Sequence, residues 1–526
     1  MNSPFAAAPQ RWLTAWRGAL AGVGGSVAGG TALAMGGAGV SSPWMLLGVP
    51  VALAGLVALM LSPVAAFLLT AFIVPVERLG RLTNDDAMYT ISLMRIVGTV
   101  ALASFLLNAV LRRQRLHFGT AFWLYLLYFG IALTGLSHST HMLGTVRHCG
   151  AILGNLLFFF LAINLGRSHR LARQAVAVWL VSTTLAGIYT IISWHFGSGV
   201  SDTALTETSA RFSAVLTDTS EWEALDVVAR ATGPTSHSAV YGINLITSLP
   251  LFLYFLKHLR HWGWKLLILA SLGITLYNVL LTNTRAVIIV AALTIVLCGL
   301  RGLYRVSAGG LVAVFVAGAA MLPLVPEAVW SRVLDSSNYN SAKSATLRVR
   351  FDYWAAGLSI IQDHWLTGIG VGNQVEVPKR LNFEGAEETT VHNEFIFTAM
   401  ETGVFGWCVF FGFVGLMYAA ASQAQRLAPG RLPAAELHPD FFIAIQVSMV
   451  ATLIFGLQVD VFHFPLKGWW LLAGLAWAQY RMLAETAPNA QPAAVRPAGP
   501  ARPWLPASPE SFQPHSGVFD HASARA

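Results

Sequence analysis

Eleven apolar stretches of this chain are long enough, or nearly so, to cross a lipid bilayer as helices. A membrane-spanning helix needs about 20 mainly apolar residues. Only 11% of the 526 residues are charged, against about 25% in a typical soluble protein. This shortage excludes a soluble enzyme, a nucleic-acid-binding protein and a disordered scaffold, and it predicts an all-α integral membrane protein. The predicted spans are 90–111, 119–137, 149–166, 174–195, 239–256, 265–281, 286–300, 307–325, 395–420, 440–460 and 466–482.

The number of spans near the N-terminus depends on one more apolar block, at 44–76. Three prolines interrupt this block, so it holds either one span or three, and we expect about 12 (12–14) transmembrane helices in total. The tail contains eight of the 23 prolines, which favours disorder. The predicted regions are an N-terminal transmembrane region at 1–89, a transmembrane core at 90–325, a large loop at 326–394, C-terminal transmembrane helices at 395–484 and a cytoplasmic tail at 485–526.

The basic residues of the short loops predict the orientation of the chain. One alternating set of loops carries 13 Lys and Arg residues and the other set carries five. Because cytoplasmic loops are enriched in basic residues, we expect the first set and both termini to be cytoplasmic. This topology also explains the net charge of +8 without a nucleic-acid partner, with membrane lipids as the expected surroundings.

Two long loops fall on the outer side in this topology, at about 196–238 and 326–394. Long loops in a protein whose other loops are short are usually functional. The second loop contains apolar residues at helical spacing from Ala345 to Trp365. This pattern predicts an amphipathic helix that lies on the membrane face or caps the helix bundle.

Five outward-facing arginines are candidates for binding an anionic substrate. A guanidinium binds phosphate oxygens with two donors and stays charged, so several of them together would form a pyrophosphate clamp. The alternative is that each arginine snorkels to the interface or pairs with an acid of its own loop. The candidates are Arg211, Arg230, Arg285, Arg348 and Arg350.

A histidine where the large loop re-enters the membrane is the candidate general base. His392 could accept a proton from a hydroxyl nucleophile near neutral pH, although a histidine at such a position is often only a capping residue. The run 368–373 is rich in glycine but follows a helix, so it predicts a tight turn and not a dinucleotide site. A weaker candidate is a possible metal cluster formed by His138, His141, His148 and Cys149. Another is a possible acid–histidine pair, Asp460 with His463.

Four motifs taken together resemble those of the O-antigen ligase and polymerase superfamily. They are RFDYW at 350–354, DHWLTGIGVGN at 363–373, HNE at 392–394 and ETGVFG at 401–406. The stretches around Arg230 and Arg285 also resemble positions of this family. One departure is Trp365, which stands where the family commonly has proline, and it affects a turn rather than the expected chemistry.

The resemblance implies a polytopic glycosyltransferase of the GT-C type in a bacterial inner membrane, with a periplasmic active site and neither a metal nor a cofactor. Its donor would be a glycan on undecaprenyl pyrophosphate. For a ligase, the acceptor would be a sugar hydroxyl of lipid A–core in lipopolysaccharide biosynthesis. The essential histidine of the family would fall on His392 and its arginines on Arg230 and Arg285, and with them Arg350. Glu394 is the second candidate base, or a residue that orients the imidazole.

Three alternatives to the ligase remain open at this stage. An O-antigen polymerase and a protein O-oligosaccharyltransferase share the layout and differ in the acceptor. A lipid-linked glycan transporter is less favoured. It would place ionisable residues at mid-membrane depth in paired broken helices, whereas here they concentrate at outer helix ends and in two long loops.

Overall fold

The protein is a polytopic, mainly helical membrane protein. The computed structural model describes residues 54–76, 92–196, 206–207, 230–235, 237–304, 342–381, 391–429, 431, 437–462 and 467–486. The chain divides into two units, Met1–Glu485 and Thr486–Ala526, and every helix and strand given below belongs to the first. The predicted span at 307–325 and the tail lie outside the described residues.

Fourteen α-helices and one two-stranded ribbon occur in the described part of the chain. The helices are α1 Ala54–Leu61, α2 Pro63–Ile73, α3 Leu93–Leu111, α4 Gly119–Thr134, α5 Met142–Leu165, α6 His169–Phe196, α7 Ser238–His258, α8 Trp262–Leu281, α9 Arg285–Leu300, α10 Ala342–Asp363, α11 Glu376–Arg380, α12 Glu394–Leu427, α13 Asp440–Gly456 and α14 Lys467–Glu485. The strands β1, Thr206–Glu207, and β2, Arg230–Ala231, pair antiparallel.

Seven of these helices are long and apolar enough to cross a membrane, or eight if the bent pair α1–α2 is one span. The all-α, multi-pass prediction is therefore confirmed, whereas the total of 12–14 spans and the GT-C type remain predictions. The bend between α1 and α2 is 113°. It falls at Pro63, the first residue of α2, where Ser62 caps the helix, because proline is tolerated at a helix start and not inside a helix.

Helices α7 and α13 form the centre of the bundle and run antiparallel. The apolar segment of α7 is 89% buried, so this helix faces other helices and not lipid. Polar groups inside this pair are satisfied locally: Ser448 Oγ on α13 donates to the carbonyl of Thr247 on α7 at 2.8 Å. The first residue of α7 and the last residue of α13 consequently lie at the same end of the bundle, where the candidate site is found.

Helix α10 is the amphipathic helix predicted in the large loop. Tyr353, Ala356 and Ile360 are buried and pack with Phe397 and Met400 of α12 in a small separate core. The apolar residues that predicted the helix do not all share this face. Phe351 and Leu358 are 60% and 50% exposed, whereas Trp354 and Ile361 pack against the core. The helix therefore covers the N-terminal segment of α12, and its second apolar edge is exposed.

Candidate functional site

Two of the predicted arginines, Arg230 and Arg350, lie near enough to each other for their charges to interact. Burial, and next the positive charge of Arg230, lower the pKa of the Arg350 guanidinium, whereas the carboxylate of Asp460 raises it. Both arginines stay protonated at physiological pH, so the pair concentrates two positive charges beside one buried carboxylate. Arg350 Nη1 also donates to Gln458 Oε1 at 3.0 Å. Donors arranged in this way favour an anion with several oxygen acceptors.

The chain around Arg230 is held by a tight turn that rests on α7. Arg230 lies in β2 opposite Glu207 of β1. Three residues later, Gly233 adopts a left-handed φ of 53°, and a Cβ there would strike the ring of Tyr241 at 2.5 Å. Tyr241 is itself fixed, because its hydroxyl donates to Asn278 Oδ1 at 2.9 Å. This packing fixes the position of Arg230 relative to the end of the bundle at which α7 begins.

His392 occupies a strained position at the start of α12. Its φ of 53° is uncommon for a residue other than glycine, and such strain is often retained at functional sites. Asn393 caps the helix, since its Oδ1 accepts from the N–H groups of Phe395 and Ile396 at 3.0 and 3.2 Å. The His392 ring lies 6.5 Å from the ring of Tyr353, one turn of α10 beyond Arg350. His392 and Arg350 therefore flank the same turn of α10.

The segment 457–462, which follows α13, joins these parts together. Its carbonyl at Leu457 accepts from Asn393 Nδ2 at 3.4 Å, and Gln458 accepts from Arg350. Phe462 donates its N–H to Glu394 Oε2 at 2.8 Å, while Glu394 Oε1 accepts from Thr398 Oγ1 at 2.9 Å. Both carboxylate oxygens of Glu394 thus bind groups within the fold. Glu394 anchors the segment that presents Gln458 and Asp460 to the arginines.

The glycine-rich run 368–373 is a turn inserted against a kink in α12. Gly368, Gly370 and Gly372 all have positive φ, as the sequence predicted for a tight turn. The N–H of Gly370 donates to the carbonyl of Glu401 at 2.9 Å, and the N–H of Gly372 donates to Glu401 Oε1 at 2.6 Å. The turn therefore positions the N-terminal segment of α12, which begins next to His392.

Alanine at Gly403 is expected to destabilise the protein. Gly403 has φ 63° and ψ −173° inside α12, a region that only glycine enters readily, at a cost of about 1–3 kcal/mol for other residues. A Cβ there would also overlap the carbonyl of Leu366. We expect Gly403→Ala to lower the thermal unfolding temperature of the protein in nanodiscs by several degrees.

Gly412→Ala is the matched control for this prediction. Gly412 lies in the same helix with nothing within 4 Å of an added Cβ, so alanine should leave the unfolding temperature unchanged or raise it through helix propensity. Equal unfolding temperatures for the two variants would show that the kink at Gly403 does not need glycine.

Arg285 lies at the same end of the bundle as Arg230. It is the half-buried first residue of α9. The preceding residue, Thr284, donates from its Oγ1 to Ser238 Oγ, at the first residue of α7, at 3.5 Å. Arg348 lies in α10, two residues before Arg350, and its side chain is outside the described residues, as is the whole of Arg211.

The predicted histidine–cysteine cluster helps to seat the glycine-rich turn. The backbone N–H of His141 donates to Asn373 Oδ1 at 2.8 Å, and His148 Nδ1 contacts the carbonyl of Gly144 at 3.0 Å. Among the residues that the structure describes, this cluster is not one of the groups with metal-ligand spacing. Of the other predicted pair, Asp460 joins the arginines and His463 lies outside the described residues.

Gln458 is a contact of Arg350 that sequence reasoning missed. Nothing around Gln458 in the sequence resembles a motif, and a glutamine beside an apolar stretch is unremarkable by itself. Its only signal was its place within two residues of Asp460, at the end of a predicted span.

A comparison with known families identifies the domain that carries part of this site. Residues 270–411 match the family model described as O-antigen ligase, a range that includes Arg285, Arg350 and His392 but not Arg230 or Asp460. A search of curated proteins found no match. The match confirms the resemblance recognised in the sequence motifs: over residues 270–411 the chain is similar to the O-antigen ligase family.

Proposed function

We propose that the protein is an O-antigen ligase of a bacterial inner membrane, with its active site on the periplasmic face. The donor is a glycan on undecaprenyl pyrophosphate and the acceptor is a sugar hydroxyl of lipid A–core. The observation that carries the proposal is the pairing of Arg230 and Arg350 beside the turn of α10 that faces His392. A cationic pair next to a candidate base at a helix end suits transfer from a membrane-anchored pyrophosphate.

The arginines act on the leaving group. As the bond between the anomeric carbon and the pyrophosphate oxygen breaks, negative charge grows on that oxygen. Arg230 and Arg350, with Arg285 at the same helix end, stabilise this charge as fixed donors, which is worth most in a partly dehydrated site. Undecaprenyl pyrophosphate needs little protonation to leave, so the proposal requires neither a metal nor another cofactor.

His392 acts on the acceptor. It takes the proton of the sugar hydroxyl as the hydroxyl oxygen forms its bond to the anomeric carbon, a role worth typically 10²–10⁴-fold in rate. Direct attack from the face opposite the pyrophosphate inverts the anomeric configuration. Glu394 serves this step as a positioning residue, because both of its oxygens already hold the fold around the site.

Asp460 and Gln458 tune the arginine pair. The buried carboxylate of Asp460 offsets part of the repulsion between two guanidinium groups, and Gln458 fixes one donor of Arg350. Arg350 then has donors left to bind phosphate oxygens, since a guanidinium offers five. Arg348 and Arg211 remain candidates for further donor contacts along the same loops.

Reconstitution with defined substrates tests this function. We expect the purified protein to move glycan from undecaprenyl pyrophosphate onto rough lipopolysaccharide, at the same rate with and without EDTA. Lengthening of the donor glycan would instead identify a polymerase, and glycosylation of an added protein acceptor would identify a protein transferase. Loss of transfer in EDTA that returns with a divalent metal would contradict metal independence, and movement of intact donor across the bilayer without transfer would identify a transporter.

A further inference from the structure

A second cluster of chemically active side chains lies at the opposite ends of the two central helices. His258 is the last residue of α7, Asp440 is the first residue of α13, and His438 lies just before it. Helix α7 has 21 residues and is therefore about 31 Å long. The cluster is thus roughly one bilayer thickness away from the arginine pair, and the proposed transfer reaction does not use it.

The donor atoms of this cluster have the spacing of metal ligands. His258 Nε2 lies 2.8 Å and His438 Nδ1 lies 3.5 Å from the same oxygen, Asp440 Oδ2. One donor atom from each of the three residues lies within 4.8 Å of the other two. Tetrahedral zinc with bonds of about 2.0–2.2 Å separates its ligand atoms by about 3.3–3.5 Å. Small side-chain movements would therefore bring the three atoms into coordination.

The carboxylate of Asp440 already binds a cation, the ammonium of Lys257. Lys257 Nζ lies 2.7 Å from Asp440 Oδ2 and donates to the carbonyl of Gly302 at 2.7 Å. An incoming ion would displace the ammonium from Asp440 while Lys257 keeps its bond to Gly302. The ion would also replace a long hydrogen bond, of 3.2 Å, from the N–H of Asp440 to His438 Nδ1.

The two imidazoles lie face to face beside Asp440. Their rings stack with centroids 4.0 Å apart, so both can turn a ring nitrogen toward one ion. The side chain of His438 is 41% exposed, which leaves a path for an ion to enter from solvent.

We propose that His258, His438 and Asp440 form a binding site for a divalent transition metal such as Zn²⁺. Imidazole nitrogen and carboxylate oxygen are ligands that Zn²⁺ accepts, and three protein ligands leave a fourth position for water. A bound ion links the end of α7 to the start of α13. It stabilises the contact between the two central helices, independently of the reaction at their other ends.

Zinc titration of the full-length protein in nanodiscs, after treatment with a chelator, tests this site. We expect the wild-type protein to bind one equivalent of Zn²⁺ that His438→Ala and Asp440→Asn bind at least about tenfold more weakly. Co²⁺ in place of Zn²⁺ should give a visible absorption band that these variants lack. His261→Ala is the matched control, because this histidine lies in the adjoining loop, and its titration should equal that of the wild type.

Lys257→Met separates this proposal from a simple loss of structure. Because the competing ammonium is removed, the variant should bind Zn²⁺ several-fold more tightly than the wild type. Bound Zn²⁺ should raise the thermal unfolding temperature of the wild type and of Lys257→Met, but not of His438→Ala. Equal Zn²⁺ stoichiometry and affinity in the wild type and His438→Ala would overturn the proposal, as would weaker binding by Lys257→Met.

Discussion

Replacing His392 with alanine is expected to lower the rate of glycan transfer by about 10²–10⁴-fold, the usual contribution of a general base. Binding of the undecaprenyl-pyrophosphate donor should be unchanged, because in our proposal the arginines bind the pyrophosphate and His392 acts on the acceptor. Initial rates of transfer to rough lipopolysaccharide and a separate donor-binding measurement check the two halves of this prediction.

The backbone at His392 calls for a second variant. His392 has a left-handed φ that asparagine adopts more readily than alanine, so His392→Asn removes the base with less strain. Both variants should be equally inactive. His364→Ala is the control, since His364 is exposed at the end of α10 and should keep wild-type activity. Activity in His392→Asn within about tenfold of the wild type would exclude His392 as the base.

Removing Arg230 should lower the rate of glycan transfer nearly as much as removing His392. Loss of one fixed donor to a developing negative charge typically costs about 10²–10³-fold in kcat, and we expect this loss for Arg230→Ala. The kcat of Arg350→Lys should fall by a similar factor although the positive charge is kept. An ammonium is a point charge and cannot hold Gln458 and a phosphate oxygen with the geometry of a planar guanidinium.

Arg380→Ala controls for a general loss of positive charge from the two long loops. Arg380 is exposed and pairs with Asp363 at 2.5 Å, away from the contacts that hold Arg350, so its removal should leave transfer intact. If Arg230→Ala and Arg380→Ala have the same kcat, the pairing of Arg230 with Arg350 is structural, and the proposed stabilisation of the leaving group is wrong.

Several helices could be predicted from the sequence because hydropathy along a helix is a local property. The stretches 174–195 and 239–256 fall within α6 and α7, and the amphipathic pattern from Ala345 corresponds to α10. The glycine-rich turn was also predictable, since few other residues accept its backbone. Which face of α10 is buried was harder to predict, because periodicity marks an apolar edge and does not show whether protein or lipid covers it.

The candidate site could likewise be predicted only in part from the sequence. Motif order pointed to His392 at a helix start, and the structure finds it there, next to a helix cap made by Asn393. Motifs could not show that Glu394 binds Thr398 and Phe462 with its two oxygens, because Phe462 is far away in the sequence. Sequence reasoning therefore offered Glu394 as a base, whereas its contacts favour a role in holding the site together.

The sequence by itself determined that this chain is a multi-pass helical membrane protein whose motifs resemble those of the O-antigen ligase superfamily, because apolar length, scarcity of charge and the order of motifs can all be read along the chain. Only the tertiary structure decided which charged groups meet. Arg230, Arg350 and Asp460 belong to three distant segments, and Gln458 belongs to no motif. Their meeting depends on the antiparallel packing of α7 against α13 and on the seating of α10 over α12, and packing between distant helices leaves no periodic trace in the sequence.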